Sequence, residues 1–197
     1  MTHTGNSSNS ATPHPQDLQD QLNDRAEAFS KEFANASYEM GQAQNFVREL
    51  CGVYGLNYLR SVDFERRVAK DNGKGITRID GFFPGLLLVE MKSKGEDLAK
   101  AYEQAKGYIP KLKNPEDVPR FILVSDFQNL HLYDETGEQA PIQFKLADFK
   151  SHVNDLDFLL GYERIYQQRQ AAASIDSFGP EAHLLRDLAT YVVTRKS

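Results

Sequence analysis

Apolar residues along the chain first recur at helical intervals and then, from about residue 75, fall on alternate or consecutive positions. From Gln16 to about Asn35, the spacing of Leu18, Leu22, Phe29 and Phe33 predicts a thinly apolar helix. Phe46, Val47, Leu50 and Tyr54 predict a second helix from about Glu39 to Tyr54, with Gly55 as its C-terminal cap. A third helix is expected in "SVDFERRVAKD", capped by Ser61 or Asp63. "GITRIDGFF" and "GLLLVEMKS" then read as two strands of a hairpin that turns at Phe83-Pro84-Gly85.

The pattern returns to a helix from Asp97 to Lys113, with Leu98, Ala101, Ala105, Tyr108 and Leu112 as its stripe. "PRFILVSD", "NLHLYD" and "APIQFKL" read as three further strands, the first two joined by a turn at Asp126–Asn129. "DLDFLLGYERIYQQRQ" and "GPEAHLLRDLATYVVTRKS" read as closing helices. Helices, a hairpin, a helix and more strands predict an α/β domain with a mixed sheet. Residues 1–15, almost free of apolar side chains, are expected to form a disordered tail. The main α/β domain, with its N-terminal helices, is assigned to residues 16–154, and a helical C-terminal extension to 155–197.

Composition narrows the functional classes. The 197 residues, 40% of them apolar and 12 of them Phe, suit one domain with a real core. Cys51 is the only cysteine, so there is no internal disulfide, and the five scattered histidines offer no zinc-binding spacing. No apolar run approaches membrane-spanning length, and no basic-then-apolar leader opens the chain, so a cytoplasmic protein is expected. The net charge of −5 hides an uneven distribution. Residues 60–120 hold 13 of the 23 basic and 10 of the 28 acidic residues, a net +3 against −8 elsewhere. A locally positive segment in an acidic chain fits a polyanion partner.

Within that segment stand Asp80 and, ten positions on, Glu90 and Lys92 in "VEMKSKGEDLAKAYEQAKGY". Residues two apart on a strand share a face, so Glu90 and Lys92 project together, and the hairpin brings Asp80 alongside. Two neighbouring carboxylates repel unless a cation lies between them. Hard oxygen ligands of this kind suit Mg²⁺, for which Mn²⁺ can substitute. Lys92 is then placed to orient or activate a water, or to neutralise charge on a phosphoryl oxygen. An exposed ion pair beside a buried strand is the alternative reading of the same residues.

The stretch from about Tyr38 to Gln168, through "IDGFFPGLLLVEMKSKGEDLAKAYEQAKGY" and "PRFILVSDFQNLHLYD", resembles the N-terminal endonuclease module of MmeI-like type IIL restriction–modification enzymes. That resemblance implies a restriction-endonuclease-like PD-(D/E)XK core, with a mixed central sheet, flanking helices and extra helices at both ends. It also implies Mg²⁺-dependent cleavage of double-stranded DNA, with catalytic roles for Asp80, Glu90 and Lys92. Gln104 and Tyr108 match a Q-x-x-x-Y element and share a helix face, and core packing explains Tyr108 equally well. Glu65 matches a helical glutamate that completes the metal site in such folds; a surface glutamate paired with arginine is the alternative. Lys94 is a candidate phosphate contact or a solvated lysine.

The chain departs from the pattern in having Ile79 where the motif has proline, and in lacking an N-P-P-Y tetrapeptide and a Gly-rich cofactor loop. Specificity is therefore expected from a methyltransferase and a target-recognition domain or subunit. Because one such site cuts one strand, self-association on DNA is expected too. A non-catalytic DNA-binding scaffold, and a nuclease for RNA or single strands in phage defence, are the competing functional readings.

Overall fold

The computed structural model describes residues 15–37, 39–64, 66–69 and 75–176. Most of the expected tail, Glu65 and the closing helix "GPEAHLLRDLATYVVTRKS" lie outside them. The architecture is a mixed five-stranded sheet flanked by helices, with a separate two-stranded ribbon.

Two helices lead, α1 (Pro15–Phe33) and α2 (Glu39–Val53), followed by one short turn of helix, α3 (Tyr58–Ser61), which Asn57 caps through the Leu59 N–H. The ribbon consists of β1 (Arg66–Ala69) and β2 (Ile76–Ile79), paired antiparallel. The main sheet runs in spatial order through β3 (Gly81–Phe83), β4 (Leu87–Met91), β5 (Phe121–Ser125), β6 (Asn129–Asp134) and β7 (Ile142–Lys145). Only β4 and β5 run parallel, and their crossover carries α4 (Leu98–Lys106). A kinked 3₁₀ segment (Leu146–Leu159) and α5 (Tyr162–Asp176) follow.

β4 shows how the sheet divides the core. All five of its residues are buried. Leu87, Val89 and Met91 join the larger cluster, which α1, α2 and the 3₁₀ segment cover. Leu88 joins a smaller cluster under α4 with Ala101, Ala105, Tyr108, Ile122 and Val124. Both faces of this strand meet helices, so its apolar run is continuous rather than alternating. Phe29, Phe33, Phe46, Phe127 and Phe149 form a connected aromatic group in the larger cluster, with ring centroids 4.9–6.3 Å apart. Leu156, Leu159 and Tyr162, which lie beyond position 154, are buried in that same cluster.

Three expectations need correction. The third helix is not formed over "SVDFERRVAKD": the chain ends α3 at Ser61 and enters β1 at Arg66. The spacing of Phe64 and Val68 suits a helix, but pairing with β2 buries Val68 and overrides that local signal. The first hairpin strand is two strands, broken by a bend at Asp80. Ile79 and Phe82 both pack under α4, which three residues of unbroken strand would not allow. The helix expected to reach Lys113 stops at Lys106, and a 3₁₀ turn at Ile109–Lys111 follows Gly107 and contains Pro110.

Two glycines are required by their surroundings. Gly85 (φ +74°) turns the β3–β4 hairpin, and a Cβ there would lie 2.7 Å from the Glu116 carbonyl oxygen. At Gly81 a Cβ would lie 2.8 Å from Val47 Cγ1, so α2 seats against β3 only because position 81 has no side chain. Gly81→Ala is therefore expected to destabilise the protein by about 1–3 kcal/mol. In a urea-unfolding double-mutant cycle, Val47→Ala should recover part of that loss; additive losses would show that the helix does not touch the strand here.

Candidate active site at the end of the β3–β4 hairpin

The hairpin register pairs Gly81 with Val89, so one step further Asp80 comes opposite Glu90. The main-chain ladder does not extend that far. Instead, an Asp80 carboxylate oxygen accepts the Met91 N–H at 2.8 Å. The side chain thus takes over from the backbone at the bend, and Asp80 is tied to the residue next to Glu90.

Glu90 shares the face of Leu88 and looks toward α4, with only 3% of its surface exposed. A buried carboxylate needs charge-assisted partners, and here they converge on one oxygen. Lys92 Nζ donates to Glu90 Oε1 at 2.7 Å and Gln104 Nε2 donates to the same atom at 2.6 Å. Gln104 also donates to the Tyr108 hydroxyl, and the Thr77 side chain of β2 acts on that hydroxyl to lower its pKa. Gln104, in the last turn of α4, and Tyr108, just past the end of that helix, are four residues apart and both reach toward β4. The helix starts at Asp97, whose side chain accepts the Ala99 and Lys100 N–H groups. Burial, and then the charge of Glu90, raise the Tyr108 pKa above the ordinary tyrosine value.

The structure therefore gathers Asp80, Glu90, Lys92, Gln104 and Tyr108 around the end of one strand. Lys94 stands apart: it is exposed, in the loop after β4, and its backbone N–H donates to the Ser37 carbonyl. Glu65 lies outside the described residues, among which no group of three metal-binding side chains occurs. Asp80 and Glu90 remain a pair of hard oxygen donors at one strand end. Such a set fits Mg²⁺, which binds through one or two carboxylates and keeps several waters.

Two contributors were not singled out from sequence. Thr77 is an ordinary strand residue until β2 carries it to Tyr108. Asp126, expected only to make a turn, is 3% exposed and accepts the Gln128 and Asn129 N–H groups at 3.1 and 2.8 Å. It also accepts the Gly95 N–H at 3.0 Å, which secures the loop that follows Lys92. Neighbouring Ser125 takes the Lys92 N–H on its carbonyl oxygen at 2.8 Å. The short Ser-Asp motif was legible as a turn, but the 31-residue reach to Gly95 was not.

The sequence model of the family described as "MmeI, N-terminal domain" matches residues 24–176, a span that includes the whole five-stranded sheet, the second half of α1 and all the later helices. The chain belongs to the MmeI N-terminal domain family. No curated protein matches it. Among solved structures, a chain of a DrdV–DNA complex determined by cryo-EM is similar at 16% identity and a TM-score of 0.40. The similarity covers 86% of this chain and 16% of that one. No described helix of this MmeI-family chain is long and apolar enough to cross a membrane.

Because the Glu90 charge helps hold the Tyr108 proton, Glu90→Gln should lower the pKa of Tyr108. Tyrosinate absorbance, taken as the difference between Glu90→Gln and Glu90→Gln/Tyr108→Phe, reads that group alone. An unchanged or higher pKa would mean that Glu90 does not act on the Tyr108 hydroxyl.

Proposed function

We propose that this chain is a Mg²⁺-dependent endonuclease module with a PD-(D/E)XK core, which hydrolyses phosphodiester bonds in double-stranded DNA for a restriction–modification system. The observation that carries this reading is the convergence of Asp80, Glu90 and Lys92 at the bend and end of one hairpin. Membership of the MmeI N-terminal family supports it, since the MmeI-like enzymes that the chain resembles carry their endonuclease at that end.

Each side chain has work that suits its surroundings. Asp80 and Glu90 would hold the cation, the first braced by the Met91 N–H and the second by Gln104. When bound, Mg²⁺ supplies Lewis-acid stabilisation of charge on a phosphoryl oxygen. Lys92 would orient the attacking water or meet the charge that develops in the transition state. Its ammonium is fixed beforehand by Glu90, so little reorganisation is needed at the moment of reaction. Gln104 and Tyr108 would hold the Glu90 carboxylate in position rather than touch the reacting atoms. Base recognition is proposed to come from a methyltransferase and target-recognition domain or subunit, and cutting of both strands from two copies meeting on DNA.

Supercoiled plasmid with Mg²⁺ or Mn²⁺ tests the assignment. Nicking by the wild-type chain should fall by at least about 100-fold in Glu90→Gln and in Lys92→Met, the scale expected when a general acid–base or electrostatic group is removed. Cleavage that survives both substitutions would rule out this site. Calorimetric titration with Mn²⁺ adds a second readout: binding should be lost in Asp80→Asn/Glu90→Gln, whereas a scaffold without catalysis would show no such dependence.

A further inference from the structure

Two described arginines are half-buried, and they are not treated alike. Arg66, at the start of β1, bonds Asp63 at 2.8 Å and Asp117 at 3.1 Å, and these carboxylates hold it charged, Asp63 first. Arg48, on α2 next to Val47, has a ring where Arg66 has acids. Its guanidinium carbon lies 4.9 Å from the centre of the Tyr58 ring. The Arg48 Nε is buried and makes no hydrogen bond, and no described carboxylate pairs with the group.

A buried donor left unmet costs stability, and more so on a charged group. Stacking on an aromatic ring holds the guanidinium plane in place, with its fork set for an anion that offers two oxygens. Position narrows the choice of anion. Val47 packs so closely on Gly81 that a Cβ there would lie 2.8 Å from Val47 Cγ1, and Gly81 adjoins Asp80, about 3.8 Å away between Cα atoms. The Tyr58 ring meets Phe64 edge-on at 6.1 Å, and Asp63, beside Phe64, donates its N–H to the Phe82 carbonyl at 2.8 Å. Both routes of contact from Arg48 thus end within two residues of Asp80. Phosphates follow one another about every 3.4 Å along each strand of a duplex, so a strand cut beside Asp80 and Glu90 carries further phosphates to either side.

We propose that Arg48, held flat on Tyr58, binds a backbone phosphate of duplex DNA near the one at the candidate metal site. The choice of DNA rests on the function proposed above. Leu59, next to Tyr58 and 76% exposed, is the residue that a protein partner would cover instead. A phosphate contact displaces counterions from the duplex and so registers in the salt dependence of DNA binding, which a protein contact does not. Because the contact is to the backbone, it positions the duplex over the site and carries no sequence preference.

Anisotropy of a labelled duplex, measured with the whole 197-residue chain in EDTA over a range of salt, tests this without any cleavage. Arg48→Met keeps an apolar stem and removes the charge. It should weaken binding at least about fivefold and lower the slope of log K against log salt by about 1. Arg48→Lys should restore the slope but only part of the affinity, because an ammonium lacks the fork. Both variants should melt within about 4 °C of the wild type, since the guanidinium has no acid to lose. Unchanged affinity and slope would overturn the proposal, as would a wild-type chain that binds no duplex. An Arg48→Met melting temperature lowered beyond that range would make the guanidinium part of the fold and overturn it too. Wild-type duplex affinity, with self-association lost in both Arg48→Met and Leu59→Ser, would assign this face to a protein partner and sink the phosphate contact. Duplex binding through Arg48 without plasmid nicking would leave this proposal standing and remove the cleavage reading; nicking with an unchanged slope would remove only the Arg48 contact.

Discussion

A carboxylate with 3% of its surface exposed, on a strand covered by helices on both faces, constrains everything around it. Breaking a buried pair by removing one partner costs about 3–5 kcal/mol, so Glu90 dictates what stands near it. Lys92 is two residues along the chain, just past the end of β4, and arrives by alternation alone. Gln104 has to be delivered by α4, which fixes the rotation of that helix over β4 and brings Tyr108 into the same network. An apolar side chain at position 90 would pack there with none of these demands. Keeping a charge in so dry a place makes sense if the charge is used.

Asp80 solves a complementary problem. The β3–β4 ladder stops at Gly81, and the next β4 N–H would go unmet without a side-chain acceptor. A carboxylate at the bend satisfies it and at the same time presents a second anion near the first. The bend also lets Ile79 and Phe82 enter one core, and it frees β2 to leave the main sheet and pair with β1. One residue therefore ends a strand, redirects the chain and joins the candidate metal set. Asp126 plays a similar part on the other side of Lys92, where its carboxylate secures both its own turn and the Gly95 loop.

Much of this was legible from local pattern. The stripe Leu98, Ala101, Ala105 and Tyr108 located α4, and the continuous run Phe121–Ser125 located a strand buried on both sides. The spacing of Asp80, Glu90 and Lys92, with a turn between, was enough to group them. The misread element was "SVDFERRVAKD". Its apolar residues lie four apart, and the partner that makes it a strand starts ten positions after Arg66, at Ile76. Pairing energy from so distant a segment has no signature in a local window. The long expected helix ran past Gly107 and Pro110 because Leu112 continued its stripe, yet backbone chemistry at those two positions ended it.

The sequence by itself determined which residues could share a face: alternation set Glu90 beside Lys92, and helical period set Gln104 beneath Tyr108. It also determined where the chain could turn, through Pro84, Gly85 and the Asp126–Asn129 segment. The tertiary structure decided how deeply Glu90 is buried, which helix supplies its partner, and that Arg66 is locked inside while Arg67 and Arg78 face outward. The reason is that burial and cross-strand pairing depend on contacts between segments far apart in the chain, whereas facing and turning depend on dihedral angles within a few residues of each other.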